Sequence, residues 1–178
     1  MARGNKDALE ALKFAIKFEK DGYSFYIKAS KRTKNLVGKE MFKYIAEEEK
    51  RHIEKVKSIY EKLKKSDEWP KESKKSSGKK KNISFENIFN KVKGEIVKIL
   101  RVDSGDVEAL KIAKKMEIEG YKFYQKRAEK TDNPLEKVFY EQLVREESNH
   151  YEILENTYEY LSNPADWFSN KERPIYEG

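Results

Sequence analysis

The sequence predicts an all-α fold: a four-helix bundle made of one helical hairpin used twice, with a long crossover between the copies. Three observations predict it. Shifting the chain by 98 residues aligns residues 9–69 with 107–167 at 23 identical positions of 61, without a gap. In each copy, apolar residues recur at alternating spacings of three and four, the stripe of a helix facing a core. The stretch between the copies, residues 66–105, is long enough to return along a helix of about 28 residues, which spans about 42 Å. Units of about 60 residues bury too little surface to be comfortable alone. The two copies are therefore expected to pack on each other as a single domain over residues 1–178.

The first hairpin is predicted over residues 6–65. Its first helix carries Leu9, Leu12, Ile16, Glu19, Tyr23 and Tyr26 on one face. Its second carries Phe42, Ile45, Glu49, His52, Val56, Ile59 and Leu63. Lys34-Asn35-Leu36-Val37-Gly38 reads as the turn between them. The linker, residues 66–105, begins with Ser, Lys, Pro and Gly and reads as a loop to residue 83. A short amphipathic helix follows over 84–101, opened by Ser84 and ended by Asp103-Ser104-Gly105, with Phe85, Ile88, Phe89, Val92, Ile96 and Ile99 at helical spacing. The second hairpin, 106–161, repeats the pattern with Leu110, Glu117, Tyr121 and Tyr124, then Tyr140, Leu143, Glu147, His150, Leu154 and Leu161. Asp106 is a candidate cap for its first helix. Its turn is Thr131-Asp132-Asn133-Pro134, with Pro134 suited to the first turn of the next helix. The tail, 162–178, is not helix-like beyond a turn and is expected to fold back on the bundle.

Composition narrows the function classes. The chain has no cysteine, which excludes disulfides, thiolate-bound zinc and iron–sulfur clusters within it. No apolar run approaches the roughly 20 residues that span a bilayer. The start, Met1 to Lys6, carries no apolar signal segment, so a cytoplasmic location is expected. The formal charge is +7, and eight lysines fall between Lys64 and Lys81. That run reads either as a solvated linker or as an anion-binding segment. No aromatic stacking platform is interleaved with the lysines, so nucleic acid is not an expected partner.

The two histidines of the chain each close a Glu-x-x-His motif: Glu49 with His52, and Glu147 with His150. The same 98-residue offset relates Glu19 to Glu117. All six residues fall on the inward stripe, where leucine or isoleucine is otherwise expected. Burying one unpaired carboxylate costs several kcal/mol, and burying four like charges costs more. Two divalent ions would neutralise the four carboxylates. Residues three apart share a helix face, so Glu49 and Glu147 are placed to bridge two metals. Glu19 with His52 then serves one metal, and Glu117 with His150 the other. Carboxylate with imidazole favours iron or manganese, with zinc a substitute in vitro. The competing arrangement is a metal-free bundle in which the histidines form buried salt bridges with the glutamates. Two matching copies and the lack of any other histidine favour metal.

Tyr26 and Tyr124 lie seven residues after Glu19 and Glu117, two turns along the same face. They read either as hydrogen-bond donors to the ligand carboxylates or as core tyrosines satisfied elsewhere. Gly22 and Gly120 sit in mid-helix at a cost of about 1 kcal/mol each. Close helix approach or room for a small substrate accounts for both. Glu48 and Glu146 precede the bridging pair and read as surface charge.

Glu19-x-x-Gly22-Tyr23-x-Phe25-Tyr26 followed by Glu48-Glu49-x-x-His52, and its second copy ending in Glu146-Glu147-x-x-His150, resembles the rubrerythrin group of ferritin-like di-iron carboxylate proteins. The ending Asn163-Pro164-x-x-Trp167-Phe168 is similar to that group as well. The resemblance implies a ferritin-like bundle and a non-haem centre of two iron ions that reacts with hydrogen peroxide or dioxygen. It also implies homodimers, in some cases domain-swapped. Two departures stand out. The group's rubredoxin-like electron-transfer module is cysteine-rich, and this chain has no cysteine for one, so a separate rubredoxin-like donor protein is expected. The additional glutamate that the group carries three residues after the third helix's first ligand is replaced here by Gly120. The expected function is a di-iron peroxidase or dioxygen reductase in oxidative-stress defence. The alternative is a ferroxidase or iron-binding protein without peroxidase turnover.

Overall fold

The computed structural model describes residues 3–71, 83–95, 104–164 and 166–167. Four long helices form the bundle: α1 (Arg3–Arg32), α2 (Leu36–Ser66), α4 (Ser104–Lys130) and α5 (Pro134–Ser162). A short helix, α3 (Phe85–Val92), runs into a 3-10 turn at Lys93–Glu95. The fold is all-α, as the two periodic hairpins predict. Among the described residues no helix is long and apolar enough to cross a membrane.

Local chemistry sets the helix ends. Asn35 caps α2, its side chain accepting from the Gly38 amide, and its repeat counterpart Asn133 caps α5 by accepting from the Leu135 and Glu136 amides. Pro134 occupies the first turn of α5, where its missing N–H costs nothing. The turn between α1 and α2 is thus shorter than the predicted Lys34–Gly38. Helix α2 already begins at Leu36, and Gly38 lies in its first turn. A Cβ there would come 3.0 Å from Thr33 Cγ2 and 3.3 Å from Leu161 Cδ1, so the glycine permits close packing. Asp106 is not the cap of α4, which starts at Ser104. It is buried in the first turn, and its carboxylate accepts from the Asn35 amide at 3.3 Å, joining the two hairpins. Ser104 and Gly105 accordingly belong to α4 rather than closing the preceding helix.

These contacts also give the topology. The start of α4 meets the α1–α2 turn through Asp106. The start of α1 meets the far end: Asn5 donates to Asp67 at the end of α2, and Asp7 pairs with Arg127 of α4. Neighbouring helices are therefore antiparallel while α2 and α4 run the same way, so the connection between them must return the length of the bundle. Ser84 opens α3, its carbonyl accepting from Ile88 and its amide donating to the Asn87 side chain. Phe85, Ile88 and Val92 are buried against α2 and α5. The rest of the predicted helix, 96–101, lies outside the described residues, as do Asp103, most of the lysine-rich run and the tail beyond Trp167. The repeat-related tryptophans close the two ends. Trp69 packs on Phe139 and Tyr140, and Trp167 on Phe85, Phe89 and Tyr160.

Two apolar clusters fill the bundle. One gathers Tyr26, Val37, Met41, Phe42, Ile45, Leu110, Leu154 and Leu161 with α3. The other gathers Leu9, Leu12, Val56, Leu63, Tyr124, Phe139, Tyr140 and Leu143. Replacing Asn133 by Ala removes the acceptor for two amides at the start of α5. The expected loss is about 1 kcal/mol of unfolding free energy, read from the urea midpoint at constant slope.

Candidate metal centre

Between the two apolar clusters lies a polar belt. Glu19 of α1, Glu49 and His52 of α2, Glu117 of α4, and Glu147 and His150 of α5 are each no more than 3 % exposed. The seam positions that would otherwise hold leucine turn these side chains to the bundle axis. In one set, ligand atoms of Glu19, Glu49, His52 and Glu147 all lie within 4.8 Å of one another. In a second, the same holds for Glu49, Glu117, Glu147 and His150. Glu49 and Glu147 are common to both. The six residues singled out by the repeat thus converge, and the two sets overlap in the two glutamates of the Glu-x-x-His motifs.

Individual contacts follow the repeat. His52 Nδ1 lies 3.3 Å from Glu19 Oε2 and 3.5 Å from Glu147 Oε1. His150 Nδ1 lies 3.3 Å from both Glu49 Oε1 and Glu117 Oε2. The rings stack with centroids 5.4 Å apart. The tyrosines cross over: Tyr26 donates to Glu117, and Tyr124 donates to Glu19. Sequence spacing placed each tyrosine on the face of its own repeat's glutamate. Because α1 and α4 are antiparallel, two turns beyond Glu19 is the level of Glu117, and the reverse. Burial, then the carboxylate each one contacts, holds both hydroxyls well above the usual phenol range, so they remain protonated donors.

Charge explains what this belt requires. Two like unit charges about 5 Å apart repel by roughly 3 kcal/mol at an effective dielectric of about 20, before any desolvation. Burial, and then the charges of Glu19 on Glu49 and of Glu117 on Glu147, push the two shared carboxyls well above the carboxylate range. Burial opposes the charge on Glu19 too, but His52, with hydrogen bonds from Glu49, His52 and Tyr124, brings it down to about 2. His52 is carried up to about 9 because Glu19 and Glu146 outweigh its burial. Protons thus neutralise the belt where no cation does. Glu117 Oε2, Glu147 Oε1 and His150 Nδ1 are also buried with no hydrogen-bond partner among the described residues. Buried polar atoms are rarely left so. Hard carboxylate oxygens with two imidazoles, unsatisfied and converging, fit a pair of divalent cations.

The structure corrects the reading of Glu48 and Glu146 as surface charge. Glu48 is buried and pairs with Arg51, and Glu146 Oε2 lies 3.1 Å from His52 Nε2. Both side chains face the seam between α2 and α5. Their signal in the sequence was the doubled glutamate, present in both repeats. One residue before an axial position rotates about 100° around the helix, which here leads to the neighbouring helix rather than to solvent.

The family model of rubrerythrin matches residues 10–158. No curated protein and no solved structure matches the chain. The chain belongs to the rubrerythrin family, non-haem di-iron proteins with a ferritin-like bundle.

The glycines divide. At Gly22 an added Cβ would sit 3.5 Å from Glu49 Oε2, an ordinary contact. At Gly120 it would come within 2.5 Å of Glu147 Oε2 and 2.9 Å of the Phe18 ring. Gly22→Ala is therefore expected to keep or raise stability, by up to about 1 kcal/mol from helix propensity. Gly120→Ala is expected to lose about 1–3 kcal/mol by overpacking. Urea denaturation of the two metal-free variants distinguishes them, and equal shifts would deny Gly120 its role as the seat of the Glu147 carboxylate.

Proposed function

We propose that this protein is a di-iron oxidoreductase that reduces hydrogen peroxide, or dioxygen, with electrons from a separate donor protein, in defence against oxidative stress. The observation that carries the reading is the pair of overlapping ligand sets, buried and sharing Glu49 and Glu147, within a chain of the rubrerythrin family. Glu19 and His52 would hold one iron and Glu117 and His150 the other, with Glu49 and Glu147, common to both sets, shared between them. The bound pair would supply two electrons and Lewis acidity, peroxide taking up two protons and leaving as two waters while two ferrous ions become ferric.

The chain's own contribution is electrostatic and positional. Four carboxylates would balance the charge of two divalent cations. Tyr26 and Tyr124 hold the outer glutamates across the repeat, fixing carboxylate orientation while staying protonated. The apolar clusters on either side of the belt keep bulk water from the reacting centre.

Gly120 favours a second reading. The resemblance implies a further glutamate at this position, and an added Cβ here would come within 2.5 Å of Glu147 Oε2, so Glu147 or the new side chain would have to shift. A centre without that ligand suits ferrous-iron oxidation or iron holding without peroxidase turnover. Mixing reduced, iron-loaded protein with stoichiometric peroxide separates the two. Ferric absorption in the near ultraviolet is expected to rise as peroxide disappears, and a Glu49→Ala/Glu147→Ala variant is expected to do neither. Equal peroxide loss in both proteins removes the peroxidase reading. Storage requires a hollow many-subunit shell, so a monomer or dimer on gel filtration removes storage.

Replacing Tyr26 and Tyr124 together by Phe is expected to leave two irons bound. The same change is expected to slow peroxide-driven iron oxidation by about 10-fold or more, the scale of losing a partner that orients a ligand. Iron analysis with stopped-flow absorbance checks both halves of that expectation.

A further inference from the structure

A column of oxidisable rings runs from the belt to one end of the bundle. Tyr124 of α4 donates to Glu19 and so touches the belt directly. Its ring stacks on Tyr140 of α5, with centroids 6.0 Å apart. Tyr140 meets Trp69, just beyond α2, at 6.3 Å. Trp69 is buried at the wall of a cavity of about 250 Å³, which Asp7 and Lys130 also line. Both of those side chains are more than half exposed, so the cavity lies at the surface.

The repeat supplies the comparison. Tyr26, the counterpart of Tyr124, donates to Glu117 in the same way. The counterpart of Tyr140, however, is Phe42. Among the described residues the Tyr26 ring meets the rings of Phe25 and Phe42 and no other. Phenol and indole can each give up one electron and recover it, whereas a phenyl ring holds its electrons far more tightly. One belt tyrosine therefore has oxidisable neighbours out to the surface, and the other is surrounded by phenylalanine.

The proton requirement sorts the three rings. A phenol that loses an electron must also lose its proton, so an acceptor must stand within hydrogen-bond reach. Tyr124 has Glu19. The Tyr140 hydroxyl is buried with no carboxylate accepting from it among the described residues, and the Arg127 guanidinium lies 5.8 Å from its ring centre. That neighbouring cation disfavours positive charge on the ring. An indole can lose an electron and keep its proton. Tyr124 and Trp69 are thus places where an oxidised state can rest, and Tyr140 is the bridge between them.

We propose that Tyr124, Tyr140 and Trp69 form a one-electron route between the metal belt and the bundle end, with Trp69 the point at which an outside reductant delivers electrons. The route rests on the di-iron oxidoreductase reading and supplies what its dioxygen branch lacks. Dioxygen takes four electrons and four protons to become two waters, and two ferrous ions give two of those electrons. Each of the other two travels in the same way. Tyr124 gives up an electron inward while its proton shifts along the hydrogen bond to Glu19. Trp69 refills Tyr124 through Tyr140, and the proton returns. The oxidised indole then takes an electron from the reductant, which is the donor protein or a small molecule such as ascorbate. The four protons come from solvent. Where no reductant is present, Trp69 supplies both electrons itself: it takes a hydroxyl from water and releases two protons.

Two measurements on the full chain test the route. The first needs no metal. In a Trp167→Phe background Trp69 is the single indole. Azide radical made by pulse radiolysis oxidises indole ahead of phenol, and the indole radical band is followed as it converts to the tyrosyl band. The conversion is expected to be independent of protein concentration, and Tyr140→Phe is expected to slow it severalfold. That substitution removes a buried hydroxyl with no hydrogen-bond partner among the described residues, so the fold is expected to survive it. Should it not fold, Tyr124→Phe takes its place and is expected to slow the conversion as well, since Tyr140 has no carboxylate for its proton. Equal rates in parent and variant overturn the route. The second measurement gives ferrous-loaded protein dioxygen with no reductant and maps hydroxylation by peptide mass spectrometry. Trp69 is expected to be modified in preference to Trp167, ascorbate to suppress the modification, and Tyr140→Phe to lower it severalfold. Equal modification of the two tryptophans, or of Trp69 in parent and variant, overturns the proposal. If dioxygen leaves the iron of the parent ferrous, the oxidoreductase reading falls instead, and the radiolysis decides the route by itself.

Discussion

Four carboxylates held together out of water are the constraint to which the rest of this molecule answers. Each would ionise in solvent, and each raises the cost of ionising the next. A helix bundle tolerates such a belt only if positive charge enters it or protons stay on it. The raised carboxyls of Glu49 and Glu147 and the raised imidazole of His52 are the second solution. A pair of divalent ions is the first. The apolar clusters above and below supply the stability that lets the belt persist, and each contributes one tyrosine to it. Tyr26 belongs to one cluster and Tyr124 to the other, so the polar layer is fastened to both.

The helices, their inward faces and the six belt residues were legible because each depends on short-range periodicity, and the duplication wrote the pattern twice. A glutamate on a leucine stripe is a conflict that only a special site resolves. The partners of the tyrosines were not legible. Tyr26 reaches Glu117 only because α1 and α4 are antiparallel and in register, which is a property of packing and not of either helix. Asp106 was misplaced for a related reason. As an N-terminal acid it suits a cap, but burial beside Asn35 gave its carboxylate a stronger use between hairpins. Glu48 and Glu146 were read as surface charge because they point to a different face from the bridging pair, but that face meets the neighbouring helix.

Gly120 shows how the repeat and the site interact. In isolation the two mid-helix glycines look equivalent, and a shared need for close approach would explain both. The distances separate them. Glu49 stops an ordinary contact short of Gly22, whereas the Glu147 carboxylate occupies the volume a Gly120 side chain would fill. Phe18 closes the same space from α1, and its repeat counterpart, Met116, is a flexible chain in place of a rigid ring. Where the resemblance implies a further glutamate, the Glu147 carboxylate thus lies against the glycine.

The departures from two-fold symmetry gather on one side of the belt. Glu147 lies against Gly120, Glu146 lies against His52, and the two are neighbours on α5. The six inner residues cannot diverge freely, since changing any of them alters the charge that must balance at the axis. Residues around them carry no such restriction: Arg51 corresponds to Asn149 in the second repeat, Lys55 to Ile153, and Phe18 to Met116. Duplication therefore fixes the ligand set while leaving its surroundings free to differ.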